Sequence, residues 1–307
     1  LGSQHRCAQR ITAVGLGLLA CACSSAASTP GNKPIVAVGA ENEYANVIAQ
    51  IGGRYVAVTA IMSNPNTDPH SFEASPSVAR VVSSAQLIVQ NGIGYDAFMN
   101  TIEAASPDPK RKVIEVQHIL KLPDSTPNPH LWYDPDTMPA VARTVAAYLS
   151  GLEPAHGSYF RANLARFERS LKPWLAAIAN FKAHYARTPV ATTEPVADYM
   201  LQAAGTDNLT PFGLQADIMN GVDPAPQDIS LQDNLFNDHK VKVFLYNEQV
   251  TDSITESFLS LAKSDGVPVV AVYETMPTPG YDYQTWMLAE VRSLEKAVAG
   301  KTSTEHL

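Results

Sequence analysis

The chain has 307 residues, 45% of them hydrophobic, and a formal net charge of −8. That length provides for about two domains, each able to bury its own core. An acidic chain gains nothing on approaching nucleic acid, which is excluded as a partner, or on resting its folded body on an anionic membrane surface.

In chain order, the first segment is unlike the rest. Arg6 and Arg10 form a basic stretch, and residues 11–23 are a run of apolar and small side chains. The run is shorter than the roughly 20 residues a membrane-spanning helix needs and suits the apolar region of a secretory signal. It ends Leu18-Leu19-Ala20-Cys21-Ala22-Cys23, which resembles a bacterial lipobox, where the cysteine is acylated and becomes the new N-terminus. Cys21 and Cys23 are the lipidation candidates, with Cys21 favoured by Leu18 three residues before it. All 3 cysteines lie within this segment, so any metal held by the folded body must use imidazole and carboxylate. Residues 24–33 are mostly Ser, Ala, Thr, Pro and Gly, a composition that cannot pack a core and reads as a tether.

Strands and helices then alternate. Ile35-Val36-Ala37-Val38, residues 55–61, Leu87-Ile88-Val89-Gln90 and residues 112–116 are short apolar, β-branched runs that read as strands. Helical patterns at 76–85, 96–105 and 136–152 lie among them, the arrangement of βα units on a parallel sheet. Residues 158–185 follow, with Phe160, Leu164, Phe167, Leu171, Trp174, Leu175, Ile178 and Phe181 at helical spacing. This predicts one long helix, kinked or locally broken by Pro173. The alternation restarts with strands at 190–193, 241–245 and 267–273 and helices starting near Pro195, Asp228, Ser253 and Tyr283. The predicted organisation is a lipoprotein signal peptide over 1–22, a flexible tether over 23–33, an N-terminal lobe over 34–152, a linking helix over 153–186 and a C-terminal lobe over 187–307.

The candidate chemistry starts from the 8 histidines. His5, His156, His184, His239 and His306 sit in signal, polar or terminal contexts that predict solvated side chains. His70, in Asp68-Pro69-His70-Ser71-Phe72, and His130, in Asn128-Pro129-His130-Leu131-Trp132, differ. Each follows a proline, which stiffens the loop presenting the imidazole. Both loops are predicted past the C-terminal ends of strands, where open α/β sheets place their ligands.

These paired segments are similar to those of the zinc/manganese solute-binding lipoproteins of bacterial ABC importers. The likeness continues through Asn91-Gly92-Ile93-Gly94-Tyr95, Pro224-Ala225-Pro226-Gln227-Asp228 and Tyr246-Asn247-Glu248-Gln249. The resemblance implies an α/β fold of two (β/α)4-type lobes with parallel sheets joined by one long backbone helix. It implies one divalent transition-metal ion, Mn²⁺ or Zn²⁺, as the transported ligand. Its ligands would be His70, His130, Glu194 after the first strand of the second lobe, and an acid after the last strand. Many relatives have Asp at the last place. Here it falls on Glu274, with Asp282 or water as the alternatives. Glu194 also reads as an acid at a helix N-terminus, favoured there by the dipole. Residues 120–127 are short and lack the His-rich insert of many zinc members. The implied partners are a cognate permease and ATPase and a lipid membrane reached through the N-terminal acyl anchor. The implied protein is a monomer in the cell envelope, on the outer face of the cytoplasmic membrane.

Two carboxylates offset the charge of a divalent ion and two imidazoles add directional nitrogens. Zn²⁺ accepts such a set tetrahedrally, whereas Mn²⁺ takes more oxygens. An enzyme is not expected, because four protein ligands would close the metal and the chain has no His-Glu-x-x-His, Gly-x-Ser-x-Gly or Gly-rich phosphate motif. A surface adhesin of the same lipoprotein family is the alternative function. Capture of a siderophore or cobalamin is a weaker one, since that task does not need paired Pro-His segments.

Overall fold

The computed structural model describes residues 1–2, 33–64, 72–277 and 279–307. Cys21, Cys23, the signal peptide beyond its first two residues, nearly all of the tether and His70 lie outside the described residues. Pro34–Leu307 forms one compact unit, separate from Leu1–Lys33. Among the described residues no helix is long and apolar enough to cross a membrane.

The first lobe contains β1 (Ile35–Glu41), α1 (Asn42–Gly52), β2 (Val56–Met62), α2 (Pro76–Ser84), β3 (Leu87–Gln90), α3 (Ala97–Ala105), β4 (Lys112–Glu115), the short α4 (Val116–Ile119) and α5 (Thr137–Leu152). α6 (Gly157–Ser170) and α7 (Lys172–Tyr185) lead to the second lobe. There follow β5 (Pro189–Thr192), α8 (Asp198–Ala204), β6 (Asp207–Asn208), α9 (Phe212–Met219), α10 (Pro226–Asn237), β7 (Val243–Asn247), α11 (Ser253–Ser264), β8 (Val269–Val272) and α12 (Tyr283–Gly300). Each lobe has a four-stranded parallel sheet, in order β2-β1-β3-β4 and β6-β5-β7-β8, so the second repeats the topology of the first. β3, β7 and β8 are buried along their whole length, as strands covered on both faces must be. The α/β expectation with two parallel-sheet lobes is met.

The connection is helical and breaks locally beside Pro173, as the sequence predicts. α6 and α7 part at Leu171, whose φ of −76° and ψ of −19° keep the path helical. Leu171 N–H still donates to Phe167 O and Leu175 N–H to Leu171 O. Pro173, in the first turn of α7, has no N–H to continue the ladder.

A single apolar cluster runs through both lobes, from Ile48 and Val89 through Trp132, Phe160 and Trp174 to Trp286 and Leu294. Polar bonds cross with it. Tyr283 Oη donates to Trp132 O at 2.6 Å, Asn128 Nδ2 donates to Pro195 O at 2.7 Å, and Tyr199 Oη donates to Asn128 O at 2.8 Å. Continuous packing of this kind resists large hinge bending between the lobes.

Glu290 of α12 is buried within this junction. Its Oε1 accepts from Trp286 Nε1 at 2.9 Å and lies 3.2 Å from Tyr133 Oη. Burial pushes its carboxyl up to about 8. Between the ordinary glutamate range and pH 8 the unfolded chain has released this proton and the folded chain has not. Stability from this group is therefore full at acid pH and declines as pH rises towards 8. Glu290→Gln keeps the acceptor and removes the ionisation. Its stability relative to wild type is expected to rise from pH 5 to pH 8 by about 2 kcal/mol or more, read by urea unfolding at both values. An advantage that does not change with pH would refute the assignment.

Candidate metal centre

Side chains from the C-terminal ends of strands in both lobes meet in one buried polar cluster, where open parallel sheets place their ligands. Gly39 of β1 lies so close to the backbone of Ala45 that a Cβ would collide with it, and the strand turns directly into α1 there. After β3 the chain passes through Gly92, Ile93 and Gly94, all at positive φ (85°, 55° and 78°). Ile93 is strained in that region. Asp96 Oδ1 accepts from Gly92 N–H at 3.0 Å and Gln117 Oε1 from Ile93 N–H at 2.8 Å, which holds the turn and delivers Tyr95 to the pocket. Burial pushes Asp96 up to about 6, against the lowering effect of the Gly92 and Asn91 N–H groups.

Glu274 is the hub. Its Oε2 accepts from Tyr95 Oη at 2.9 Å and stands 3.2 Å from His130 Nε2. Its Oε1 accepts from Asn247 Nδ2 at 2.8 Å, and the same amide donates to Glu194 Oε2 at 2.6 Å. His130 and Glu274 are fully buried and Glu194 is 2% exposed. The Asn247 amide is fixed in turn, with its Oδ1 accepting from Gln249 N–H at 3.0 Å. Gln249 Oε1 accepts from the N–H groups of Glu274 and Thr275, which sets the loop after β8.

The His130 ring is oriented by Asn128. Asn128 Oδ1 lies 2.8 Å from Nδ1 and accepts from the His130 backbone N–H at 3.0 Å, while its Nδ2 is committed to Pro195 O. This assigns the ring proton to Nδ1 and turns the Nε2 lone pair towards Glu274. A lone pair and a carboxylate oxygen facing each other are stabilised by a cation or proton between them. Two ligands at about 2.0–2.2 Å from one ion stand roughly 3.0–3.5 Å apart, which the His130 to Glu274 distance satisfies.

His130 and Glu274 are thus in contact, and Glu194 is joined to them through Asn247. Among the described residues no three His, Cys, Asp or Glu side chains close on a single point. Asp282 does something else: its side chain accepts from Thr285 N–H and caps α12 in a capping box, which accounts for that alternative. Glu194 is not in the first turn of a helix either. α8 starts at Asp198, so the dipole reading of Glu194 fails. Of the histidines expected in solvent, His156 is half-buried and stacks on Tyr55 with ring centroids 3.9 Å apart. His306 is exposed, as expected, and its Nδ1 lies 2.6 Å from Glu248 Oε1.

Tyr95, Asn128, Asn247 and Gln249 lie in the segments that carry the family likeness, but sequence reasoning assigned no role to these groups, which orient the site. It also missed Glu41 and Glu43, both fully buried at the end of β1. Burial raises the carboxyls of both well above the usual range, followed for Glu41 by the charges of Asp96 and Glu43.

The chain is 25% identical over 137 residues to the manganese-binding lipoprotein MntA of Bacillus subtilis, a stretch covering 43% of this chain and 44% of that protein. The chain thus spans less than half the length of that relative. Its fold is that of FpvC of Pseudomonas aeruginosa, solved in complex with Mn²⁺, with a TM-score of 0.71 and 20% identity over 88% of this chain and 100% of that one. The periplasmic zinc-binding protein TroA of Treponema pallidum superposes with a TM-score of 0.70 and 18% identity, again over 88% and 100%. The profile of the ZnuA family, zinc-uptake complex component A periplasmic, matches residues 38–297, and the chain belongs to that family.

Proposed function

We propose that this protein captures one divalent transition-metal ion, Mn²⁺ or Zn²⁺, on His70, His130, Glu194 and Glu274 and delivers it to an ABC permease with its ATPase. The observation that carries the reading is the buried contact of His130 Nε2 with Glu274 Oε2, made across the two lobes and tied to Glu194 by one amide. The manganese-binding name of the Bacillus subtilis relative supports the same ion class. In this reading His70, which follows β2 in the sequence and lies outside the described residues, supplies the second imidazole. A buried ion with two carboxylates is neutralised, and the two nitrogens give the site its direction. With this set filled, no open position remains for a catalytic water, so the site suits capture and release rather than catalysis. The continuous core predicts that release proceeds through loop movement and a small tilt of the lobes. The protein is held on the outer face of the cytoplasmic membrane by an acyl chain on Cys21 or Cys23, whichever becomes the N-terminus when the signal peptide before it is removed. The adhesin alternative is not favoured, because the facing imidazole and carboxylate are fully buried and suit an ion rather than a surface partner.

Metal analysis of the purified protein tests this. One Mn²⁺ or Zn²⁺ per chain is expected. His70→Ala should lower affinity by roughly a hundredfold, because the remaining buried charges lose a partner. Stoichiometric metal with unchanged affinity in His70→Ala would show that the ligand assignment is wrong.

A further inference from the structure

Asn42, Asn46 and Gln50 form a row of amides on one face of α1, at the i, i+4 spacing that sets successive side chains one above the other. Each reaches a residue of the second lobe that follows Glu274. Asn42 Nδ2 donates to Met276 O and Asn42 Oδ1 accepts from Met276 N–H, both at 2.8 Å. Asn46 Oδ1 accepts from Tyr283 N–H at 3.1 Å and from Gln50 Nε2 at 2.6 Å. Gln50 and Gln284 pair amide to amide, with a bond of 3.0 Å in each direction.

Asn42 does not serve its own helix. An Asn at a helix start ordinarily caps the first turn, but here both ends of the amide are committed to Met276, and Glu41 before it makes no side-chain cap bond. The residues that gain are those around Glu274. Glu274, Thr275 and Met276 lie in neither strand nor helix, so other groups must take their buried backbone N–H groups. Gln249 Oε1 takes the first two from the second lobe, and Asn42 takes the third from the first lobe. Tyr133 Oη donates to Tyr273 O at 2.9 Å, and Tyr95 Oη donates to the Glu274 carboxylate. The first lobe thus holds this stretch before, at and after Glu274.

We propose, on the metal-capture reading above, that Asn42, Asn46 and Gln50 are positioning residues for Glu274. They tie its backbone to the lobe that carries His130. The contact of His130 Nε2 with Glu274 Oε2 therefore keeps its 3.2 Å spacing when the lobes tilt. An ion held between these two groups leaves more slowly than it would if Glu274 moved with the second lobe alone.

Release of Mn²⁺ and of Zn²⁺ from the purified protein into excess chelator, followed by stopped flow, tests this. Asn42→Leu has nearly the same shape and makes neither bond to Met276. It should release both ions about tenfold faster than wild type or more. Asn46 separates positioning from folding, because in its bonds to Tyr283 and Gln50 it only accepts. Asn46→Asp keeps that acceptor at the start of α12, where the helix dipole favours a negative charge, and should release within about twofold of wild type. Asn46→Leu loses the acceptor and should release about threefold faster or more. The visible absorption of Co²⁺ bound in place of either ion follows ligand geometry and gives a second readout. Asn42→Leu should alter that spectrum and Asn46→Asp should not. Wild-type release rates and Co²⁺ spectra in both Leu variants, whatever their melting temperatures, would overturn the proposal and leave the metal-capture reading intact. So would equal acceleration in Asn46→Asp and Asn46→Leu. A wild type that binds neither Mn²⁺ nor Zn²⁺ would overturn both readings. If Asn42→Leu does not fold, the two Asn46 variants decide the matter alone.

Discussion

Glu274→Ala is expected to weaken Mn²⁺ and Zn²⁺ binding by roughly two to three orders of magnitude. Three groups converge on this carboxylate. Tyr95 Oη and Asn247 Nδ2 donate to it, and His130 Nε2 faces it at 3.2 Å. Truncation removes a ligand charge and leaves two buried donors without their acceptor, so the penalty exceeds the loss of one metal bond. Glu274→Asp is the informative intermediate. It keeps the charge, but the shorter side chain cannot reach both Tyr95 and Asn247 from the present backbone, and an intermediate loss should follow. His239→Ala, at an exposed surface position, should change nothing. Chelator competition gives the affinities, and a Glu274→Ala affinity within about threefold of wild type would exclude Glu274 as a ligand.

Much of the fold was legible because buried parallel strands are written as continuous apolar runs. Leu87-Ile88-Val89-Gln90 is the strand that its pattern predicts, and the runs at 35–38 and 112–116 fall within a few residues of the observed ends. β6 was not legible, since Asp207–Asn208 has two polar residues and no apolar pattern to read. α9 was missed for a related reason: Phe212–Met219 is short and its apolar side chains do not fall on one face. In the pocket, Pro129-His130 stood out because a proline-braced imidazole is unusual. Asn247 did not, because an Asn at the end of a strand reads as the start of a turn, and its contact with two acids joins residues 53 and 27 positions apart. Glu43 was hidden by its place in the first turn of α1, where an acid is unremarkable on helix-dipole grounds. Only its complete burial separates it from an ordinary helix-start acid.

Trp286→Ala is expected to cost about 3–5 kcal/mol of stability, the range for removing a large aromatic side chain from a core. Trp286 is fully buried on α12 and makes an edge contact with Tyr133 of the first lobe at 5.6 Å between ring centroids. Its Nε1 donates to Glu290, and Tyr133 Oη reaches both Glu290 and the carbonyl of Tyr273, the residue before Glu274. Truncation therefore opens a cavity, strips a donor from a buried acid and loosens the junction behind the loop that carries Glu274. For a body of this size the melting temperature should fall by roughly 10 °C. Trp286→Phe separates these effects, because it keeps most of the packing and loses only the N–H. It should be less destabilising than Ala and most deficient above pH 8, where Glu290 is ionised and needs the donor. Urea unfolding of the metal-free protein measures the cost directly. A loss under about 1 kcal/mol for Trp286→Ala would mean that the two lobes do not depend on this contact for their common core.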